Sequence, residues 1–281
     1  MSYMRRLILN ADDLGINEQR SHGIFMCKEQ GILTSASLIP NYPGSEKGGR
    51  VAREKDLSTG LHLNLTTGSP MSRHADIETL ITIDGYFLGR ETLERVLREN
   101  QIDTIHIERE LRTQIECFLD SWGQPTHIDS HHHIHIHPVI VPILITLLDR
   151  YAIPFVRIPS EPPLPFGYQI SPEQSLYIKN LSERAEVARK MFKAHGIGST
   201  DNFRGLALGG NASKRNFRHI IGRLPEGTTE LMMHPGSPNP NGEPFDADPQ
   251  RQTEMNILLD TEVLTELADR EIQLCSWGDL F

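Results

Sequence analysis

Short aliphatic runs recur along the chain, and longer stretches with helical spacing separate them. Arg6 to Asn10, Ile32 to Pro40, Thr59 to Thr66, Ile153 to Ile158, Asn202 to Ala207, Thr228 to His234 and Glu271 to Cys275 have the length and apolar content of strands. Between them apolar residues return every three or four positions. Ile107, Leu111, Ile115, Phe118, Leu119 and Trp122 mark one such helix face. Helices are also predicted from the N-cap Asn17 to Gln30, from Glu91 to Asn100, from Val139 to Leu148, from Glu173 to His195, from Ser213 to Arg223, and from Thr253 to Asp269. Strand–helix alternation from end to end predicts a parallel α/β fold with every helix outside the sheet. Roughly seven or eight such units predict a complete or slightly irregular (β/α) barrel, with residues 1–281 as one domain. An open doubly wound sheet is the weaker reading, because no glycine-rich phosphate loop follows the first strand.

One stretch breaks the aliphatic pattern. Thr126 to Pro138, THIDSHHHIHIHP, holds six of the thirteen histidines. Read as an extended strand, His127, Asp129, His131, His133, His135 and His137 share one face. Ile128, Ile134 and Ile136 share the other face with His132. Imidazoles beside a carboxylate form a candidate metal site. The plain alternative is a solvated polar face.

Other predicted strands also end in chemistry-bearing groups. The first runs into Asp12 and Asp13, and adjacent carboxylates repel unless a cation lies near. His62 lies on the third strand, Arg157 near the end of the Ile153 strand, and His234 at the end of TTELMMH. In a (β/α) barrel these C-terminal strand ends are where chemistry sits. One carboxylate and two imidazoles on a divalent ion leave positions for water and substrate, a second carboxylate can serve as base, and a separate histidine as acid. Asp129 is also a candidate hydrogen-bond acceptor behind a ligand imidazole. The aperiodic stretch 67–90 and the proline-rich stretch 160–168 are expected to be shaped loops at the mouth of the site.

Composition narrows the function classes. The net charge of −9 carries no basic patch and argues against a nucleic-acid partner. No apolar run is long enough to predict a membrane span. Cys27, Cys117 and Cys275 are widely spaced and read as reduced thiols of a cytoplasmic protein.

The motifs ILNADDLG (Ile8 to Gly15), TGLHLNLT (Thr59 to Thr66), PTHIDSHHHIHIHP (Pro125 to Pro138) and MMHPG (Met232 to Gly236) together resemble the YdjC-like carbohydrate deacetylases, which include chito-oligosaccharide deacetylases. The resemblance implies a distorted (β/α) TIM-like barrel that uses a divalent metal to remove N-acetyl groups from N-acetylglucosamine-containing oligosaccharides. It implies Asp13, His62 and His131 as metal ligands, Asp12 as catalytic base and His234 as general acid or oxyanion-stabilising group. Arg157 would orient Asp12. It also puts Mg2+ first, although the ligand types suit Zn2+ equally. Leu14 departs from the aromatic residue the family usually has after its Asp pair. The expected partner is a small acetylated sugar, and an apolar barrel exterior is compatible with a homodimer. The rival readings are a metal-dependent phosphoesterase on a histidine-rich barrel and a non-catalytic metal- or sugar-binding protein.

Overall fold

The computed structural model describes residues 4–163 and 170–281. The proline-rich loop therefore lies, from 164 to 169, outside the described residues. The strands are β1 (Arg5–Leu14), β2 (Ser35–Leu38), β3 (Ser58–Leu63), β4 (Ile128–Ser130), β5 (Asn202–Arg204), β6 (Gly227–Met233) and β7 (Ile272–Leu274). All pair in parallel, in the order β4-β3-β2-β1-β6-β5, with β7 alongside the first residues of β1. Single bridges from Ile128 to Val156 and from Phe155 to Gly198 carry the sheet onward from β4. The result is the expected barrel, distorted and curled, with its helices on the outside.

The predicted strand over 153–158 is reduced to those bridges, because Pro154 and Pro159 offer no backbone donors at its ends. The single helix expected over 253–269 is two. Here α9 (Gln250–Leu258) stops, and the Asp260 carboxylate caps α10 (Thr261–Asp269) by accepting from the Glu262 amide at 2.8 Å. The other helices used below are α1 (Glu18–Gln30) and α4 (Thr104–Trp122).

The two faces of the sheet differ chemically. Leu7, Leu9 and Ala11 of β1, Ala36 and Leu38 of β2, Leu61 and Leu63 of β3, and Leu231 and Met233 of β6 pack outward into the helix-covered core. The inward positions are Ile8, Asn10, Asp12, Ser35, Ser37, His62, His127, Asp129, Arg157 and Glu230, all buried. At one end Ile8, Cys275 and Trp277 form a separate small apolar cluster. Trp277 stacks on His127 at 4.3 Å, its amide donates to Ser35 Oγ, and Gly278 N donates to Ser58 Oγ. The chain after β7 thus stoppers the end of the barrel opposite the strand C-termini. Gly60 belongs to the same device: a Cβ there would lie 2.3 Å from the His127 ring.

A bulge in β1 matters most for the site. Ala11 pairs with Ala36 and Leu14 with Leu38, so three steps on β1 match two on β2. The extra residue is Asp13, at φ +67°. It returns Leu14 to the outward, apolar side and leaves two consecutive carboxylates facing the barrel mouth.

Candidate active site

The histidine-rich stretch is not the long strand its alternation suggests. β4 ends at Ser130, whose hydroxyl accepts from the His135 amide at 2.9 Å and pairs with His135 Nδ1 at 2.7 Å. This closes a turn over His131–Ile136, with His132 and His133 in the left-handed region, φ +56° each. The one-face row therefore exists only for His127 and Asp129. His135 is buried and also meets the Arg157 carbonyl at 2.9 Å, so it holds backbone rather than substrate. His132 does not turn away from His131: their rings lie 4.1 Å apart, and His132 Nδ1 meets Thr66 Oγ1 at 2.9 Å. His133 is buried against Phe203, and His137 Nδ1 accepts from the Val139 amide.

What the turn does bring to the mouth is His131. Its Nδ1 lies 3.0 Å from Asp13 Oδ1, and His62 Nε2 lies 3.2 Å from the same oxygen. One donor atom from each of Asp13, His62 and His131 falls within 4.8 Å of the others. Asp129 Oδ1 takes the opposite nitrogen of His62, Nδ1, at 2.8 Å, which leaves Nε2 turned to the cluster. Burial alone would raise the pKa of Asp13, but the imidazoles of His131 and His62 hold it well below the usual carboxylate range. Burial alone would lower that of His62, yet Asp129, Asp13 and Asp12 lift it to about 10. A field that favours a proton on His62 this strongly also favours a cation. One carboxylate and two imidazoles at this spacing fit a divalent metal.

Asp12 has different partners from its neighbour. Arg157 clamps it with Nη1 at 2.6 Å and Nη2 at 2.7 Å, and Asn10 Nδ2 donates to it at 2.9 Å. Desolvation nevertheless raises the Asp12 pKa, outweighing Arg157, with Asp129 adding repulsion. Arg157 also reaches Asp129 Oδ2 at 2.8 Å and Glu230 Oε1 at 2.7 Å.

His234 stands on the other side, with Nε2 4.0 Å from Asp13 Oδ2. Burial, joined by the guanidiniums of Arg20 and Arg251, holds its pKa well below the ordinary value despite the pull of Asp13. Its amide donates to Glu254 Oε2, and its ring meets the Phe245 ring edge-on at 5.0 Å. Arg20, in the first turns of α1, links the site to the loop after β6: it contacts Asp13 at 3.5 Å and Asp246 at 2.6 Å. The loop after β3 is fixed from below, since Glu110 on α4 accepts from the Met71 and Ser72 amides.

All six residues named from the sequence, Asp12, Asp13, His62, His131, Arg157 and His234, thus line one end of the barrel. Sequence reasoning missed Asn10, Ser37, Arg20 and Glu230. Ser37 had no signal beyond parity; its hydroxyl donates to Asp129 at 2.7 Å. Glu230 had one: it shares alternation with His234 in TTELMMH, so both had to face inward.

A family profile described as YdjC-like protein matches residues 6–269. The chain belongs to the YdjC-like family. Relatives in the family include a carbohydrate deacetylase of Homo sapiens, 30% identical over 98% of this chain and 91% of its own. A carbohydrate deacetylase of Brevibacillus brevis is 32% identical, covering 98% of this chain and 99% of its own. A chitooligosaccharide deacetylase of Proteus mirabilis is 30% identical, covering 98% of each. Among solved structures, an Enterococcus faecalis V583 protein, named as a candidate for cellobiose-phosphate cleavage, superposes with a TM-score of 0.79 over 99% of both chains at 23% identity. At that identity the likeness shows the fold alone.

Proposed function

We propose that this YdjC-like chain is a metal-dependent carbohydrate N-deacetylase acting on N-acetylglucosamine-containing oligosaccharides of the chitobiose type. The names of its relatives support the reaction class. The observation that carries the mechanism is the division of labour on the β1 bulge, where Asp13 faces two imidazoles and Asp12 faces a guanidinium. Asp13, His62 and His131 would hold the ion, which supplies Lewis-acid polarisation of the acetyl carbonyl and acidification of water. Mg2+ is put first on family resemblance, with Zn2+ equally suited to the donor set.

Asp12 is the base. Arg157 fixes its carboxylate, and its raised pKa suits taking a proton from water and returning it to the leaving nitrogen. His234 is held neutral, which favours the second of its two expected roles. As an N–H donor it would stabilise charge growing on the carbonyl oxygen.

Two rivals predict different geometry or different turnover. A phosphoesterase with two or three metals needs further ligand sets. Two others exist among the described residues, Asp12 with His62 and Asp129, and His127 with Asp129 and Glu230. Arg157 sits on Asp12, Asp129 and Glu230, so a cation already neutralises both sets. A non-catalytic sugar-binding protein predicts binding without turnover.

The deciding experiment is acetate release from di-N-acetylchitobiose with added Mg2+ or Zn2+, with chelator, and with Asp12→Asn. Metal-dependent release is expected, and Asp12→Asn should lower kcat by about 10²–10⁴-fold while metal still binds. Phosphate release from sugar phosphates without acetate release would favour the phosphoesterase. Sugar binding by a folded, metal-loaded protein that deacetylates no N-acetyl sugar would overturn the enzyme reading. Cytoplasmic placement is part of the same proposal and rests on the three cysteines, all free.

A further inference from the structure

Glu230 is a fully buried carboxylate to which the chemistry above gives no task. It lies on β6 in register with Ile8 of β1 and Phe203 of β5, deeper in the barrel than Asp12. Its Oε1 accepts from Arg157 Nε at 2.9 Å and from Nη2 at 2.7 Å, while Oε2 has no hydrogen-bond partner. Arg157 donates to Asp12 from both Nη1 and Nη2, and its Nη1 forms an ion pair with Asp129 Oδ2 at 2.8 Å. Its four hydrogen bonds thus go to Asp12 and Glu230, two to each. Asp12 takes the Nη1–Nη2 edge and Glu230 takes the Nε–Nη2 edge.

We infer that Glu230 is a positioning residue for the deacetylation reaction: by holding the Nε edge, it fixes the plane of Arg157 and so aims the opposite edge at Asp12. The inference rests on the proposed role of Asp12 as base. A guanidinium held on one edge only can swing about its Cδ–Nε bond. Held on two adjacent edges it cannot swing without breaking charge-assisted bonds in a site closed to water. No other carboxylate among the described residues reaches Nε, and the Phe203 ring lies 5.7 Å from Arg157 Cζ, closing that side.

The competing account is charge balance alone, with any anion near Arg157 serving as well. Two substitutions separate the accounts. Glu230→Gln keeps the reach and the accepting oxygen but loses the charge. Glu230→Asp keeps the charge but is one methylene short of Nε. Positioning predicts that Glu230→Gln retains kcat within about twofold, whereas Glu230→Asp loses about tenfold or more in kcat, with KM and metal affinity unchanged. Crystal structures of both variants supply a readout that needs no turnover. The guanidinium should keep both bonds to Asp12 in Glu230→Gln and lose at least one in Glu230→Asp.

The reverse order of activities, or an unturned guanidinium in Glu230→Asp, overturns the inference. If the wild-type protein releases no acetate, the deacetylase reading fails by itself, and the two crystal structures still decide what holds Arg157.

Discussion

At the scale of single residues, the site depends on which nitrogen or oxygen each group presents. His62 offers Nε2 to the Asp13 cluster because Asp129 occupies Nδ1, and Asp129 is held in turn by Ser37 and Arg157. Asp129→Asn leaves an acceptor oxygen but removes the charge and frees the amide to sit either way round. It should weaken metal affinity by about 10–100-fold without loss of fold, as read by calorimetric titration of the metal. Unchanged affinity would mean that the imidazole needs no partner to keep its orientation. These partners were only half legible in the sequence. Asp129 stood out inside the histidine run, but nothing in SASL distinguished Ser37 from any strand serine, because its role depends on a hydroxyl meeting a carboxylate 92 residues away.

At the scale of elements, two departures from regular structure make the site. The bulge at Asp13 lets neighbouring carboxylates work on one side of β1, and the left-handed pair His132–His133 turns His131 to the mouth while sending His135 back under it. Strict alternation, the rule that found the candidates, fails at both places. Backbone strain of this kind gathers at functional sites and is held by surrounding bonds, here those of Ser130 to His135. Elsewhere the elements obey the rule and constrain composition. The inward position of Gly60 on β3 is filled by the His127 ring. Gly60→Ala should cost roughly 1–3 kcal/mol, visible as a fall in Tm, because the stacked His127 cannot retreat from Trp277. A variant as stable as the parent would mean that the ring has room to shift.

At the scale of the whole molecule, the barrel interior is a polar column closed at the bottom by an aromatic stopper. Trp277 is fully buried between His127, Ile8 and Cys275. Trp277→Ala should destabilise the protein by about 3–5 kcal/mol, measured by denaturant unfolding, although it lies at the opposite end from the site.

The column also sets the response to acid. Burial depresses the pKa values of His127 and His132 to about 3 and of His135 to about 4, so these imidazoles stay neutral in the folded chain while their unfolded counterparts protonate near 6.5. Below that value the unfolded state binds more protons. The stability these three imidazoles contribute is therefore full above about pH 6.5 and falls as pH drops toward their folded values. Glu230, lifted to about 7 by burial, works in the opposite direction, as do the raised carboxyls of Asp12, Glu161 and Glu254, while the lowered imidazoles of His133, His137 and His234 add to the three. His62, lifted to about 10, keeps its proton in the folded metal-free chain while its unfolded counterpart is half protonated near pH 6.5; its contribution is complete well below that value and is lost as pH rises toward 10. Calorimetry of metal-free protein should show Tm falling steadily from pH 6.5 to pH 5, and a flat profile would contradict the neutral interior.

The sequence by itself determined the alternation of strand and helix, and with it the parallel barrel, because periodicity reports which faces meet apolar neighbours. It also determined the family and the residues that stand at the strand ends, since those depend on local order along the chain. Only the tertiary structure decided how they are used. That His62 answers to Asp129, that Arg157 binds three carboxylates from three strands, and that the histidine run bends at Ser130 all follow from contacts between residues far apart in the chain. Period-two and period-3.6 patterns carry no information about such contacts. The balance of burial against charge that sets each pKa likewise exists only once the barrel has closed around them.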